Sequence, residues 1–386
     1  MCPLIQGLQY KLYCGRKGHE KMKGILLLSD GTIFEGEAKG YLENSVGEVV
    51  FNTSMTGVQE MITDPSYYGQ IITTTFPVIG GPGINDEDFS SEYCVIRGLI
   101  AKEICDFPNN FRCKKTLEEY LVENKIVALT GIDTRALTKI LRDKGTMNGE
   151  IIVGEYNDEF IKNELNKINN YKIENPISYV TVKSNKNINY DNSKYNVLLW
   201  DLGHKNDVIT SLKNSDCNVT VVPCDVTFEE IKRINPDGIL ISNGPGNPKD
   251  NADIINTLKE VIELNIPMLG IGLGHQLIAL AMGFDTKKMK YGHRGGSIPV
   301  KCLENGRTYI TGQNHGYEVD MDSVSDNTAK ITHVNINDNS VEGIKYNAYP
   351  IISVQFHPYM FENKKDKTLS FNEFVDMMEG NKNANK

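Results

Sequence analysis

The spacing of apolar positions changes along the chain, and its first third reads as short strands between turns. Apolar and β-branched runs predict strands at residues 24–28, 47–57 and 68–77. The pair Asp30-Gly31, which follows the first run, is typical of a β-hairpin. Helix starts are expected at Thr116, where Glu119 completes a capping box, and at Asp133. The pattern predicts a β-rich α+β domain over residues 22–155.

Beyond this domain the pattern changes twice. Residues 156–195 are rich in Asn, Lys and Tyr with little apolar periodicity, and we interpret them as a linker. From residue 196 to 380, near-continuous apolar strands alternate with amphipathic helices, and residues 381–386 form a polar tail. Such strand-helix units predict an α/β domain with a doubly wound, largely parallel sheet. Ligands of such sheets bind at the carboxyl ends of the strands.

One stretch of the second domain, Pro267 to Leu280, is a short apolar strand, a glycine-dense turn and an apolar helix. This is the layout of a nucleophile elbow, which holds a reactive side chain at the apex of a strained turn. The apex position is Gly272, which has no side chain to project. The sequence therefore predicts the frame of a catalytic site without its nucleophile.

Composition narrows the classes of function. A chain of 386 residues with 40% hydrophobic and 24% charged residues is typical of a globular protein of two domains. The net charge of -9 argues against a nucleic-acid or membrane-surface binder. The longest apolar run is interrupted by His275 and Gln276, and no secretory signal is recognisable, so we expect a cytoplasmic protein. Residues 1–21 are interpreted as an extension outside the fold, with Met22 as an alternative start.

The eight cysteines are scattered, with no CxxC pair. We interpret them as reduced thiols rather than as disulfides or metal ligands. None of them lies on the elbow. No metal site is expected in this chain.

Three further motifs follow predicted strands: Ser242-Asn243-Gly244-Pro245-Gly246, Gly312-Gln313-Asn314-His315-Gly316-Tyr317, and Val354-Gln355-Phe356-His357-Pro358-Tyr359. Each alone is more typical of a turn or a structural polar residue. Together with the elbow, and in this order, they resemble the class I glutamine amidotransferases over residues 196–380. The strings at residues 51–57, 63–67, 110–112 and 132–135 resemble the N-terminal domain of the carbamoyl-phosphate synthetase small subunit.

The resemblance implies a relay of cysteine, histidine and glutamate. His357 matches the general base, Gly272 stands where the family has the cysteine, and Tyr359 stands where it has the glutamate. The resemblance also implies a set of glutamine-binding residues, with the amides of Gly244 and Leu273 as an oxyanion hole: Ser54, Gly244, Gly246, Leu273, Gln276, Asn314, Gly316 and Tyr317.

The family pairs this subunit with a large ATP-using subunit that makes carbamoyl phosphate for arginine and pyrimidine synthesis. The resemblance therefore implies that large subunit as partner, glutamine as a ligand, and no cofactor in this chain, since ATP and magnesium belong to the large subunit. We expect the glutaminase step to be lost or severely impaired. Two alternatives stay open: an active glutaminase with a non-standard nucleophile or a water activated by His357, and a non-catalytic module that senses glutamine.

Overall fold

The computed structural model describes residues 22–358 and 370–384. The predicted extension at residues 1–21 and the substitution at Tyr359 lie outside these ranges. Within them, no helix is long and apolar enough to span a membrane.

The strands of the N-terminal domain are β1 Lys23–Leu28, β2 Ile33–Gly40, β3 Ser45–Asn52, β4 Gln70–Thr74, β5 Val78–Ile79, β6 Gly98–Ile100, β7 Glu103–Ile104, β8 Val127–Thr130 and β9 Met147–Val153. Seven of them form a closed barrel in the order β1-β2-β8-β6-β4-β3-β9, beside a two-stranded sheet of β5 and β7. Its helices are α1 Val58–Ile62, α2 Leu117–Glu123 and α3 Thr134–Lys144. A β-rich α+β domain was predicted and is confirmed.

The local signals of this domain act as predicted. The strands β1 and β2 form an antiparallel hairpin around Asp30-Gly31. At the start of α2, the Glu119 amide donates to the Thr116 hydroxyl and the Thr116 amide donates to the Glu119 carboxylate. The Asp133 carboxylate accepts from the Ala136 amide at the start of α3. These bonds satisfy amides that would otherwise lack partners in the first helical turn.

The side chains of β1 point alternately to the two faces of the barrel wall. Leu26 and Leu28 belong to one buried cluster, whereas Ile25 and Leu27 belong to another that also contains Ile168. Successive strand residues point to opposite faces, so a fully apolar strand needs cover on both sides. A helix from the next segment provides the outer cover.

The range 156–195, which we interpreted as a linker, contains ordered elements: α4 Asp158–Asn170, α5 Pro176–Val180 and β10 Lys186–Ile188. The helix α4 packs on the barrel, and β10 pairs with a strand of the C-terminal sheet. The range thus contributes elements to both domains.

The C-terminal domain is a ten-stranded sheet with helices on both faces. The further strands are β11 Tyr195–Trp200, β12 Cys217–Val222, β13 Gly238–Ile241, β14 Met268–Ile271, β15 Thr286–Cys302, β16 Thr308–Val319, β17 Ala329–Asn335, β18 Val341–Tyr346 and β19 Ile351–Val354. The further helices are α6 Asn206–Asn214, α7 Phe228–Ile234, α8 Ala252–Ile262, α9 Leu273–Ala281 and α10 Ser370–Ala384.

The sheet order is β10-β12-β11-β13-β14-β19-β18-β17-β15-β16. The five strands from β12 to β19 are parallel, and the remaining pairs are antiparallel. The predicted doubly wound α/β domain is therefore confirmed in its parallel centre. The elbow leaves β14 at the carboxyl edge of this centre.

Hydrogen bonds join the barrel to the sheet beside this edge. The Thr53 amide, just after β3, donates to the Arg294 carbonyl at 3.2 Å. The Gly296 amide donates to the Ser54 hydroxyl at 2.9 Å, and the Thr146 amide donates to the Lys290 carbonyl at 2.9 Å. The barrel thus contributes one wall of the space above the sheet.

Candidate active site

Gly272 joins β14 to α9 with φ 58° and ψ -111°. Its amide donates to the Val354 carbonyl of the neighbouring parallel strand at 2.9 Å, and its carbonyl accepts from the Gln276 amide. A residue with a Cβ is strained at such positive φ, but glycine is not. Two positions further on, a Cβ at Gly274 would lie 2.3 Å from the Ile241 carbonyl oxygen, so α9 packs against β13 only with glycine there.

The apex leaves room for a small side chain. A Cβ at Gly272 would lie 3.2 Å from the Asn243 Cβ and 3.9 Å from the Gln355 carbonyl oxygen. The amide of Leu273, at the first position of α9, has no acceptor within the helix. The turn therefore keeps the geometry of a nucleophile elbow although no reactive atom stands at its apex.

A cavity of about 560 Å³ lies in front of the elbow, between the barrel and the sheet. Nine of the sequence-predicted site residues contribute to its wall: Gly244, Gly246, Gly272, Leu273, Gln276, Asn314, Gly316, Tyr317 and His357. Ser54 is not among the wall residues, and its hydroxyl accepts a hydrogen bond from the Gly296 amide at the joint between barrel and sheet. Glutamine binding by these residues stays a prediction.

His357 follows β19 and is only 5% exposed. Its amide donates to the Gly312 carbonyl at 3.0 Å, which fixes the backbone that carries the ring. Burial lowers the pKa of the imidazole to about 3, and the nearby Lys205 cation adds to this effect. The ring is therefore neutral at pH 7, which is the state that a general base requires.

The thiols of the described chain lie away from this cavity. Six cysteines are described, and none of them contributes to the wall. Burial raises the pKa of Cys94 and of Cys217 to about 12, which keeps both thiols protonated at neutral pH. A hydroxyl is present instead: Ser66 lines the cavity and accepts from the Asn243 Nδ2 at 3.1 Å.

Gln276 connects the elbow helix to β16 and to the segment that follows β19. Its Nε2 donates to the Tyr317 carbonyl at 2.7 Å and to the Gln355 Oε1 at 2.9 Å. The Nδ2 of Asn314 is buried and has no hydrogen-bond partner among the described residues. A buried donor without a partner is costly, so a ligand that accepts from Asn314 gains affinity.

Several polar wall residues were not predicted from the sequence, among them Glu48, Gln70, Lys288 and Arg294. The Glu48 carboxylate accepts from Lys288, Thr146 and Gln70 at 3.1, 3.0 and 2.9 Å. Burial acts to raise the pKa of Glu48, but Arg294 and Lys288 outweigh it, and the pKa lies below its ordinary value. The signal available in the sequence was the glycine-dense string around Arg294, Tyr291-Gly292-His293-Arg294-Gly295-Gly296.

One group of described side chains has the composition of a metal site. Ligand atoms of His293, His315 and Glu342 all lie within 4.8 Å of one another. These atoms already share hydrogen bonds: His293 Nε2 with Asp338 at 2.8 Å, and both ring nitrogens of His315 with neighbouring oxygens. Burial acts to lower the pKa of His293, but hydrogen bonds to Asp338 and Glu342 raise it to about 9. A buried ion pair accounts for this group without a metal.

Comparison with known proteins agrees with this geometry. Residues 26–151 match the family model of the carbamoyl-phosphate synthase small chain, CPSase domain, and residues 198–377 match that of the class-I glutamine amidotransferases. The chain is 49% identical to the carbamoyl phosphate synthase small chain of Clostridium perfringens, over 92% of this chain and 99% of the relative. It is 44% identical to that of Fusobacterium nucleatum, over 92% of this chain and 98% of the relative.

It is also 44% identical to the carbamoyl phosphate synthase pyrimidine-specific small chain of Bacillus subtilis, over 93% of this chain and 96% of the relative. The similarity thus spans both domains and nearly the whole length of these relatives. The chain belongs to the family of carbamoyl phosphate synthase small chains, and its C-terminal domain is a class I glutamine amidotransferase domain.

Proposed function

We propose that this chain is the small subunit of a carbamoyl phosphate synthase and that its own glutaminase step is lost or severely impaired. The observation that carries the proposal is Gly272, an apex without a side chain in an otherwise complete elbow and cavity. Membership of the family supports the assembly role. The vacated apex supports the loss of chemistry.

The chemistry of amide hydrolysis explains why one missing atom suffices. A thiolate at the apex would attack the glutamine carboxamide, while amides at the elbow stabilise the oxyanion. His357 is neutral and so could accept a proton, but the described wall offers it no thiol. In a serine-protease relay, removal of the nucleophile alone costs about a millionfold in turnover. The tyrosine at position 359 also lacks the fixed negative charge of a carboxylate at neutral pH.

The role that remains is structural or regulatory. We propose that the chain assembles with the large, ATP-using subunit and that the complex takes free ammonia as its nitrogen source. Its product would serve arginine and pyrimidine synthesis. ATP and magnesium would bind to the large subunit, and the cavity of this chain would bind glutamine without hydrolysing it.

The complex with its large subunit tests this proposal. We expect carbamoyl phosphate formation with ammonium chloride but a rate with glutamine lower by about four orders of magnitude or more. The Lys287→Gln variant, whose side chain forms an exposed ion pair with Asp320, is the matched control. A glutamine-dependent rate close to the ammonia-dependent rate would overturn the proposed loss of glutaminase activity.

A second candidate function is glutamine hydrolysis with a different nucleophile. Ser66 favours it, because its hydroxyl lies in the cavity wall and accepts from Asn243, whose Cβ faces the empty apex. If the wild-type complex hydrolyses glutamine, Ser66→Ala and His357→Ala distinguish the routes. Loss of hydrolysis in both variants indicates a serine relay, and loss only in His357→Ala indicates water activated by the histidine.

A further inference from the structure

The outer face of β9 holds helix α4 through alternate residues of the strand. Asn148, Glu150 and Ile152 point to the same face. Ile152 packs in the apolar cluster that contains Ile168 of α4. The Asn148 Nδ2 donates to the carbonyls of Ile168 and Tyr171 at the end of α4, at 3.0 Å in both cases. Glu150 therefore lies in the middle of the contact between β9 and α4, where it is only 7% exposed.

Glu150 faces a second buried carboxyl group. Its cross-strand neighbours on β1 and β3, Leu27 and Val46, are apolar. The charged groups that face it come from α4 and are Glu164 and Lys167. The side chains of Glu150 and Glu164 are hydrogen-bonded to each other, and Oε2 of each receives no bond from a donor group among the described residues. A carboxylate has no donor, so a bond between the two carboxyl groups requires a proton on one of them.

Lys167 neutralises one negative charge of this pair but not two. Its Nζ donates to Glu164 Oε1 at 2.6 Å. Burial and the hydrogen bond with Glu164 raise the pKa of Glu150 to about 7. Near neutral pH the pair therefore changes from one negative charge to two, while Lys167 is already bonded to Glu164. Two buried like charges repel each other and lack the water that would stabilise them, so the contact of α4 with β9 becomes weaker.

The segment that leaves α4 forms part of the cavity wall. Residues 171–175, which we call the strap, all line the cavity. The side chain of Ile173 packs on Gly69, just before β4, where a Cβ would lie 2.9 Å from it. Directly after the strap, Pro176 packs on Gly246 of the C-terminal domain. One end of the strap is thus fixed to the C-terminal domain, and its position against the barrel depends on α4.

We propose that a proton shared by Glu150 and Glu164 holds α4 and the strap against the barrel, and that loss of this proton releases both and widens the cavity on that side. Access to the cavity thereby depends on pH near neutrality. The contact is strongest at low pH and weakens as the pH rises towards and through 7. The device uses no residue of the elbow, and it is independent of whether the cavity binds glutamine.

Hydrogen exchange of the full chain measures the release of α4. A carboxyl group with a pKa of about 7 in the packed state and about 4.3 in water favours release about tenfold more at pH 8 than at pH 6. We expect the protection factors of α4 amides, each taken against an unstructured peptide at the same pH, to fall about tenfold over this range in wild type. In Glu150→Gln, whose amide can donate to Glu164 at either pH, they should stay constant. Glu159→Gln, an exposed change on the same helix, should behave as wild type.

Tryptic cleavage after Lys172 reports on the strap itself. Trypsin has its own pH dependence, so the rate for wild type is divided by the rate for Glu150→Gln at the same pH. We expect this ratio to rise about tenfold from pH 6 to pH 8, because cleavage follows the population of the released state. If Glu150→Gln does not fold, as judged by thermal unfolding, Glu164→Gln carries the test, since it also leaves a single carboxyl group in the pair. An unchanged cleavage ratio, or the same pH dependence of α4 protection in wild type and variant, would overturn the proposal.

Discussion

Replacing Gly272 by alanine tests whether the elbow is strained for any residue that could bear a nucleophile. The observed φ of 58° with ψ -111° costs a residue with a Cβ about 1–3 kcal/mol. Alanine also removes conformational freedom from the unfolded chain, which stabilises by about 0.4–1 kcal/mol. The balance is a net loss of roughly 0–2.6 kcal/mol in the free energy of unfolding, with about 1.3 kcal/mol at the middle of both ranges.

Sterics add little to this loss. The new Cβ would lie 3.2 Å from the Asn243 Cβ, a tight contact that a shift of a few tenths of an ångström relieves. The matched control is Gly81→Ala, where no atom lies within 4 Å of a Cβ and φ is not in the positive range. There only the unfolded chain changes, so the control should be neutral or slightly more stable than wild type.

Urea unfolding followed by tryptophan fluorescence measures the difference. Trp200 is the sole tryptophan of the chain and is fully buried in β11, in the sheet that carries the elbow. We expect Gly272→Ala to unfold at lower urea than Gly81→Ala, with an unchanged slope. Equal midpoints for the two variants would refute the argument that glycine relieves strain at the apex.

Three further predictions concern the relay and the buried titratable groups. Gly272→Cys alone should hydrolyse glutamine about 10⁴-fold more slowly than Gly272→Cys with Tyr359→Glu, and equal turnover in a glutaminase assay would refute the role given to position 359. Burial and the hydrogen bond with Glu164 raise the pKa of Glu150 to about 7. The contribution of Glu150 to stability is therefore complete at low pH and is lost as the pH rises through 7. Unfolding curves between pH 5 and 8 should show this loss in wild type and not in Glu150→Gln. Burial lowers the pKa of His275 to about 3. The contribution of neutral His275 to stability is therefore present above pH 6.5 and falls as the solution becomes more acidic. A His275→Asn variant whose free energy of unfolding has the same acid dependence as wild type would contradict this prediction.

The parallel centre of the fold could be predicted because its signals are local. The strands β11 to β14 each correspond to one continuous apolar run in the sequence, and amphipathic helices separate them. The same holds for the caps at Thr116 and Asp133, which depend on residues three positions apart.

The barrel and the long hairpin of the sheet were not indicated by the sequence, because they depend on pairing between distant segments. Barrel closure requires β3, β4, β6 and β8 to pair in parallel across intervening helices and loops. The long hairpin of β15 and β16 contains glycines and charged residues, so its periodicity is weak. The wall residues Glu48 and Arg294 come from these two regions, the barrel and the long hairpin. They meet only when the barrel packs on the sheet, so the sequence of either region alone does not indicate that they share a site. The Ser54 hydroxyl accepts from the Gly296 amide at that joint, and its part in glutamine binding stays a prediction.

The loss of the nucleophile that we propose at Gly272 would differ from the loss of an ordinary catalytic residue, because the surrounding site does not need that side chain to fold. The amide of Gly272 still donates to Val354, α9 still begins at Leu273, and Gln276 still joins α9 to Tyr317. Glycine also removes the strain that a nucleophile would impose on the turn. Selection for catalysis can therefore be relaxed at this position without a penalty in stability, whereas the cavity and the joint with the barrel remain fixed by many contacts. For this reason an intact elbow with an empty apex is compatible with a subunit retained for assembly and ligand binding.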